Sequence, residues 1–95
     1  MVIVSYRDKR TREFAAGKWT KAFSSIEEAA RMKLDRLEAA TGLRDLAALP
    51  GNRLEKLLGD RAGHYSVRIN DQWRICFEWP DDSPGPANVE IVDYH

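Results

Sequence analysis

The side chains best equipped for chemistry cluster in the last third of this 95-residue chain. Tyr65-Ser66-Val67-Arg68-Ile69 and Trp73-Arg74-Ile75-Cys76-Phe77 each alternate apolar and polar residues, and Asn70-Asp71-Gln72 between them suits a hairpin loop. The apolar residues fix the register, because a slip by one residue flips every side chain to the other face. Ile69 then faces Trp73, Val67 faces Ile75 and Tyr65 faces Phe77. The opposite face receives Arg68 beside Arg74, Ser66 beside Cys76 and His64 beside Glu78. Two guanidinium groups directly across a strand pair repel. Two resolutions are open: Glu90 or Asp93 of a last strand neutralises the pair, or the pair binds an anion such as a phosphate, which the fork of an arginine matches.

The second constellation is the closing Asp93-Tyr94-His95. An imidazole beside a carboxylate and a phenol makes general acid–base chemistry available. The competing reading is a frayed end without a role, although Val89, Ile91 and Val92 should tie the segment into a sheet. His64 with Glu78 reads as a structural ion pair. Cys76 reads as a strand residue without chemistry: as the single cysteine it has no internal disulfide partner, and no Cys/His set has zinc spacing. No metal and no cofactor are therefore expected. Trp73, Phe77 and Trp79 share one parity, which suits a core better than base stacking; a sheet of the RNA-recognition-motif kind would want exposed aromatics.

The elements that position these groups are legible around them. Residues 2–6 form a short N-terminal strand, and Asp8 to Ala16 a short helix capped by Asp8 and stopped at Gly17. Ser25-Ile26-Glu27-Glu28 reads as a capping box opening a helix over 26–40, whose inner face is Ile26, Ala30, Leu34 and Leu37. Leu43 to Leu49 adds a further turn before Pro50-Gly51. Residues 52–58 read equally as a helical turn or a short strand. A long loop over 80–87 and a last strand over 88–94 complete an antiparallel meander. The expected architecture is α+β, one domain over 1–95: a strand, two helices, then the meander, with the helices on one sheet face.

Composition narrows the partners. Apolar residues make up 43% and charged residues 32%, as in a soluble globular protein, and stretches such as Leu46-Ala47-Ala48-Leu49 are too short to span a membrane. A lone cysteine and a first segment that meets charge at once favour the cytoplasm. The formal net charge is zero, but residues 1–36 hold nine Lys/Arg against five Asp/Glu, and residues 37–95 six against ten. Ten of the fifteen basic residues are Arg. Composition alone therefore permits a nucleic-acid partner without demanding one.

Beyond these readings, Arg7-Asp8-Lys9, Pro50-Gly51-Asn52-Arg53-Leu54-Glu55, Gly59-Asp60-Arg61-Ala62-Gly63, the run from Tyr65 to Phe77 with its Ile-Asn-Asp-Gln-Trp-Arg core, and the closing Val89-Glu90-Ile91-Val92-Asp93-Tyr94-His95 resemble the HigB toxins of the RelE-like superfamily, also called plasmid maintenance killer proteins. The resemblance runs over nearly the whole chain. It implies a microbial-ribonuclease-like α+β fold and the toxin of a type II toxin–antitoxin system. It further implies an endoribonuclease that cuts messenger RNA on the ribosome, neutralised by a helix-turn-helix antitoxin of the HigA type, with operator DNA met only through that antitoxin. The implied chemistry needs no metal: the ribose 2′-oxygen attacks the adjacent phosphorus and leaves a 2′,3′-cyclic phosphate. By motif position His95 is the acid or base, Asp93 its partner, Tyr94 a substrate or proton contact, and Arg74, supported by Arg68, the stabiliser of the phosphorane. Lys56, Arg61 and Glu55 are the implied substrate-binding residues. Some relatives supply a His and a Lys just before Gly-Asp, where this chain has Glu55-Lys56-Leu57-Leu58. The general base is thus open, with Glu55 a candidate. Two other readings stand beside this one: a non-catalytic module bound to the ribosome or to an antitoxin–operator complex, and an enzyme using the arginine pair on a small phosphorylated or carboxylate ligand. The last lacks any Gly-rich phosphate loop or nucleophile elbow.

Overall fold

The computed structural model describes residues 3–57, 59 and 63–93. Three α-helices, α1 (Lys9–Ala15), α2 (Glu27–Ala39) and α3 (Leu43–Ala47), precede a four-stranded sheet of β1 (Glu55–Lys56), β2 (His64–Arg68), β3 (Trp73–Glu78) and β4 (Ala87–Asp93). The strands lie side by side in chain order, every pair antiparallel. Hydrophobic periodicity explains the layering. Phe14, Ala30, Leu34 and Leu37 point from the helices into one core with Val67, Ile69, Ile75, Phe77, Val89 and Ile91 from the alternate strand positions. Edge-on aromatic contacts join the layers: Phe14 meets Phe23 at 5.4 Å between ring centroids, and Phe23 meets Trp73 at 5.8 Å.

Three expectations change. The N-terminal strand is reduced to a single parallel bridge between Tyr6 and Val89. The Val89 N–H donates to the Ser5 carbonyl at 3.1 Å and the Arg7 N–H to the Val89 carbonyl at 2.9 Å. Pairing stops there because α1 begins at Lys9, and the Thr11 hydroxyl takes over the β4 edge by accepting from the Ile91 N–H at 3.1 Å. The bridge sits at a bulge, where the register shifts between Cys76 and Glu78 and Asn88 adopts φ 52°.

Ser25 does not open α2. A 3-10 helix over Lys21–Ile26 comes first, and Ile26 stands at the cap position of α2 with no side-chain capping bond. Burial decides this, since the 3-10 helix sends both Phe23 and Ile26 into the core. Asp8 likewise caps α1 without a side-chain bond, its carbonyl accepting from the Arg12 N–H at 3.2 Å. The ambiguous segment splits: Pro50–Asn52 is a 3-10 turn and Glu55–Lys56 is the edge strand. No helix among the described residues is long and apolar enough to cross a membrane.

Between α2 and α3 the chain is pinned by Asp45, whose Oδ2 accepts from the Thr41 N–H at 2.8 Å and from the Thr41 hydroxyl at 2.7 Å. Those two bonds, the backbone one first, hold the Asp45 carboxyl below its ordinary value. Because the charged form is favoured in the fold, the contribution is present above the ordinary aspartate value and is lost as pH falls through the lowered one. Thr41→Val removes the hydroxyl and keeps the N–H. In an NMR titration of the Asp45 carboxyl carbon, the midpoint should move up and still stay below that of an unstructured aspartate. An unchanged midpoint would show that the hydroxyl bond contributes nothing.

Candidate active site

On the sheet face away from the core, strand pairing aligns Glu55, Ser66, Cys76 and Glu90 in one row across all four strands. The next row holds Arg68, Arg74 and Val92. The two arginines are direct cross-strand partners, as the apolar register requires, because Val67 pairs with Ile75 and Tyr65 with Phe77 on the other side. Asn70 shapes the intervening loop by accepting at Oδ1 from the backbone N–H groups of Gln72 and Trp73, at 2.9 and 2.8 Å.

Arg74 is buried to 8% exposure, and each of its guanidinium nitrogens is engaged. Nε–H donates to Ser66 Oγ at 2.8 Å. Nη2–H donates to the Arg53 carbonyl at 2.6 Å and more weakly to the Ser66 carbonyl at 3.3 Å. Nη1 lies 3.2 Å from Glu55 Oε1, and the Glu55 side chain remains 58% exposed. Arg68 is joined by the Asp71 carboxylate from the hairpin loop. Glu55 and Asp71 thus both contribute negative charge beside the arginine pair read in the sequence. Of the two last-strand carboxylates, Glu90 pairs with Arg7 at 3.5 Å, and Asp93 Oδ2 accepts from Gln72 Nε2 at 3.0 Å.

Of the remaining site residues, Asp93 ends β4 opposite Trp73, one position beyond the partner of Arg74. Tyr94, His95 and Arg61 lie outside the described residues. Lys56 is in register with Tyr65, so it has the opposite parity to Glu55 and Ser66. The structure therefore brings together Arg74, Arg68 and Glu55 on one face, and does not bring Lys56 to it. His64 Nε2 lies 3.7 Å from Glu78 Oε1, the ion-pair geometry anticipated from cross-strand pairing.

Two contributors escaped the sequence reading. Glu55 as the partner of Arg74 depends on a two-residue strand that periodicity cannot detect. The Arg53 carbonyl depends on a left-handed residue, φ 43° and ψ 58°. Pro50-Gly51-Asn52 announces a turn there, but no residue type marks which carbonyl will accept. Chemically, the face offers a fixed cation able to stabilise negative charge on a phosphorus centre, with a half-exposed carboxylate beside it able to take a proton.

Comparisons with known proteins bear on the family and the fold. Residues 4–95 match the family described as the RelE-like toxin of the type II toxin–antitoxin system HigB. A curated relative, Toxin HigB-1 of Vibrio cholerae, is 48% identical over 72 residues, spanning 76% of this chain and 73% of that protein. An uncharacterized protein of Haemophilus influenzae is 26% identical over 72 residues, 76% of this chain and 71% of its own. Among solved structures, the YoeB-YefM complex from Staphylococcus aureus superposes with a TM-score of 0.55 at 20% identity, over 98% of this chain and 94% of that one. A YoeB/ParE toxin from Agrobacterium tumefaciens gives 0.52 at 19%, over 100% and 99%. The fold is thus shared with toxins of low sequence identity, and by family match and close relative alike this chain belongs to the HigB-like toxins, the RelE-like toxins of type II toxin–antitoxin systems.

Proposed function

We propose that this toxin is a metal-independent endoribonuclease that cuts messenger RNA on the ribosome, in the cytoplasm, and that a helix-turn-helix antitoxin of the HigA type neutralises it. The observation that carries this reading is the Glu55–Arg74 pair, a buried, hydrogen-bonded guanidinium that has an exposed carboxylate beside its Nη1. An incoming phosphate competes with Glu55 for Arg74 Nη1. It thereby frees a base next to the phosphorus at the moment of binding.

In this reaction the 2′-hydroxyl loses its proton to Glu55, and its oxygen attacks the adjacent phosphorus. Arg74 stabilises the charge that accumulates on the non-bridging oxygens, with Arg68 in support. His95, held by Asp93 and assisted by Tyr94, protonates the departing 5′-oxygen. A 2′,3′-cyclic phosphate and a 5′-hydroxyl result, so that every proton and bond is accounted for by groups of this chain and the substrate. Arg61 and Lys56 are proposed to contact the RNA backbone, Lys56 from the neighbouring parity. The zero net charge of the whole chain favours substrate presented by the ribosome.

The test is 5′-end mapping of transcripts after brief induction. The intact chain should generate new internal ends within coding regions. Arg74→Lys, which keeps the charge and loses the fork, should reduce them by about 100-fold or more, and Glu55→Gln or His95→Ala by about 100-fold each. Arrested growth without new ends would overturn the nuclease reading in favour of a binding module. Ser66→Ala removes the acceptor of a buried Nε–H. It should lower stability by about 1–3 kcal/mol in urea unfolding with an unchanged slope; a shift below about 0.3 kcal/mol would mean that Ser66 does not hold Arg74.

A further inference from the structure

Behind the Arg53 turn lies a second buried cation. Lys33, on α2, is 5% exposed, and among the described residues no carboxylate pairs with it. Its Nζ donates to Asn52 Oδ1 at 2.8 Å. The other end of the same amide, Asn52 Nδ2, donates to the Leu46 carbonyl at 3.1 Å, so both ends are used and the orientation of the amide is fixed. Asn52 is itself 1% exposed, and its backbone N–H closes the turn onto the Leu49 carbonyl at 3.0 Å. The lysine head also sits against the turn's backbone, 3.5 Å from where a β-carbon on Gly51 would stand.

A buried ammonium is expensive to keep. Here burial, then the charges of Arg36 and Arg68, push the Lys33 pKa down. An apolar side chain would fill the same space without that cost, and would leave Asn52 Oδ1 without its donor. The residue after Asn52 is the left-handed Arg53, whose carbonyl is aimed at Arg74 Nη2 at 2.6 Å. A contiguous path therefore runs from the helix layer to the reacting face: Lys33 ammonium, Asn52 amide, Arg53 carbonyl, Arg74 guanidinium.

We propose that Lys33 and Asn52 are positioning residues for Arg74: the ammonium orients the Asn52 amide, which locks the left-handed turn whose carbonyl fixes the guanidinium where the phosphate must sit. This rests on Arg74 being the phosphate ligand, and its test is chosen so that the two ideas fail separately.

The direct readout is the Arg74 Nε–H resonance, followed by NMR in the full chain and in Lys33→Met and Asn52→Asp, together with single-turnover RNA cleavage. In either variant whose amide spectrum remains native away from the turn, the Arg74 signal should shift and exchange with solvent about tenfold faster or more. Cleavage should slow by about 10- to 100-fold, with KM nearly unchanged, because a displaced group loses transition-state contact while the ribosome still holds the RNA. In an Arg74→Lys background, Lys33→Met should cause no further loss, since both act through one group. Asn52→Asp keeps the shape of the amide and carries the decision should Lys33→Met fail to fold. An unchanged Arg74 signal in a natively folded variant overturns the proposal, as does full additivity with Arg74→Lys. If the intact chain cuts no RNA, the nuclease reading fails, and the resonance alone still decides the positioning.

Discussion

The buried guanidinium of Arg74 constrains much of the rest of this structure. A charge removed from water must be surrounded by acceptors with good geometry, or it destabilises the fold by several kcal/mol. Ser66 supplies two of those acceptors from the neighbouring strand and Arg53 supplies a third from a turn. Glu55 adds the compensating charge from the sheet edge. Residues 53–55 and Ser66 must therefore both be placed correctly around one side chain. The result is a cation held by buried acceptors beside an exposed carboxylate, the arrangement that the proposed exchange of Glu55 for a phosphate requires. Preorganisation of that kind is what electrostatic stabilisation of a transition state requires.

The sheet that carries this face is protected at both edges. β1 is only two residues long, too short to template another chain. The outer edge of β4 is covered by residues 5–7 and by the Thr11 hydroxyl, which accepts from the Ile91 N–H. The N-terminal segment thus works as an edge cover, in place of the additional strand its alternation suggested. Docking it at the Asn88 bulge ties the first residues of the chain to the strand that ends in Asp93.

How far the sequence reveals this follows from the range of each interaction. The hairpin was legible because Val67, Ile75, Tyr65 and Phe77 permit only one register, and that register alone brings Arg68 and Arg74 together. The inner face of α2 was legible for the same reason, through Ala30, Leu34 and Leu37 at helical spacing. The start of α2 was not, because burial of Phe23 and Ile26 by a 3-10 helix outweighs the local preference of Ser25 for a cap. The pairing of Glu55 with Arg74 and the contact of the Arg53 carbonyl were hidden for a different reason. Their roles arise from tertiary placement of a two-residue strand and one left-handed residue, neither of which leaves a periodic trace. Family resemblance supplied the motif positions of Arg74 and Asp93, but not the acceptors that fix the guanidinium.

The central claim is that Arg74 keeps its bonds to Ser66 and Arg53 when RNA binds and exchanges only Glu55 for phosphate. It is tested most directly by determining the structure of the toxin on a ribosome whose transcript is made uncleavable by 2′-deoxy substitution. The expected structure has a phosphate on Arg74 Nη1, the Ser66 and Arg53 contacts intact, and the Glu55 carboxylate turned toward the 2′ position of the preceding ribose. A transcript phosphate seated elsewhere, with the Glu55–Arg74 pair unbroken, would contradict it.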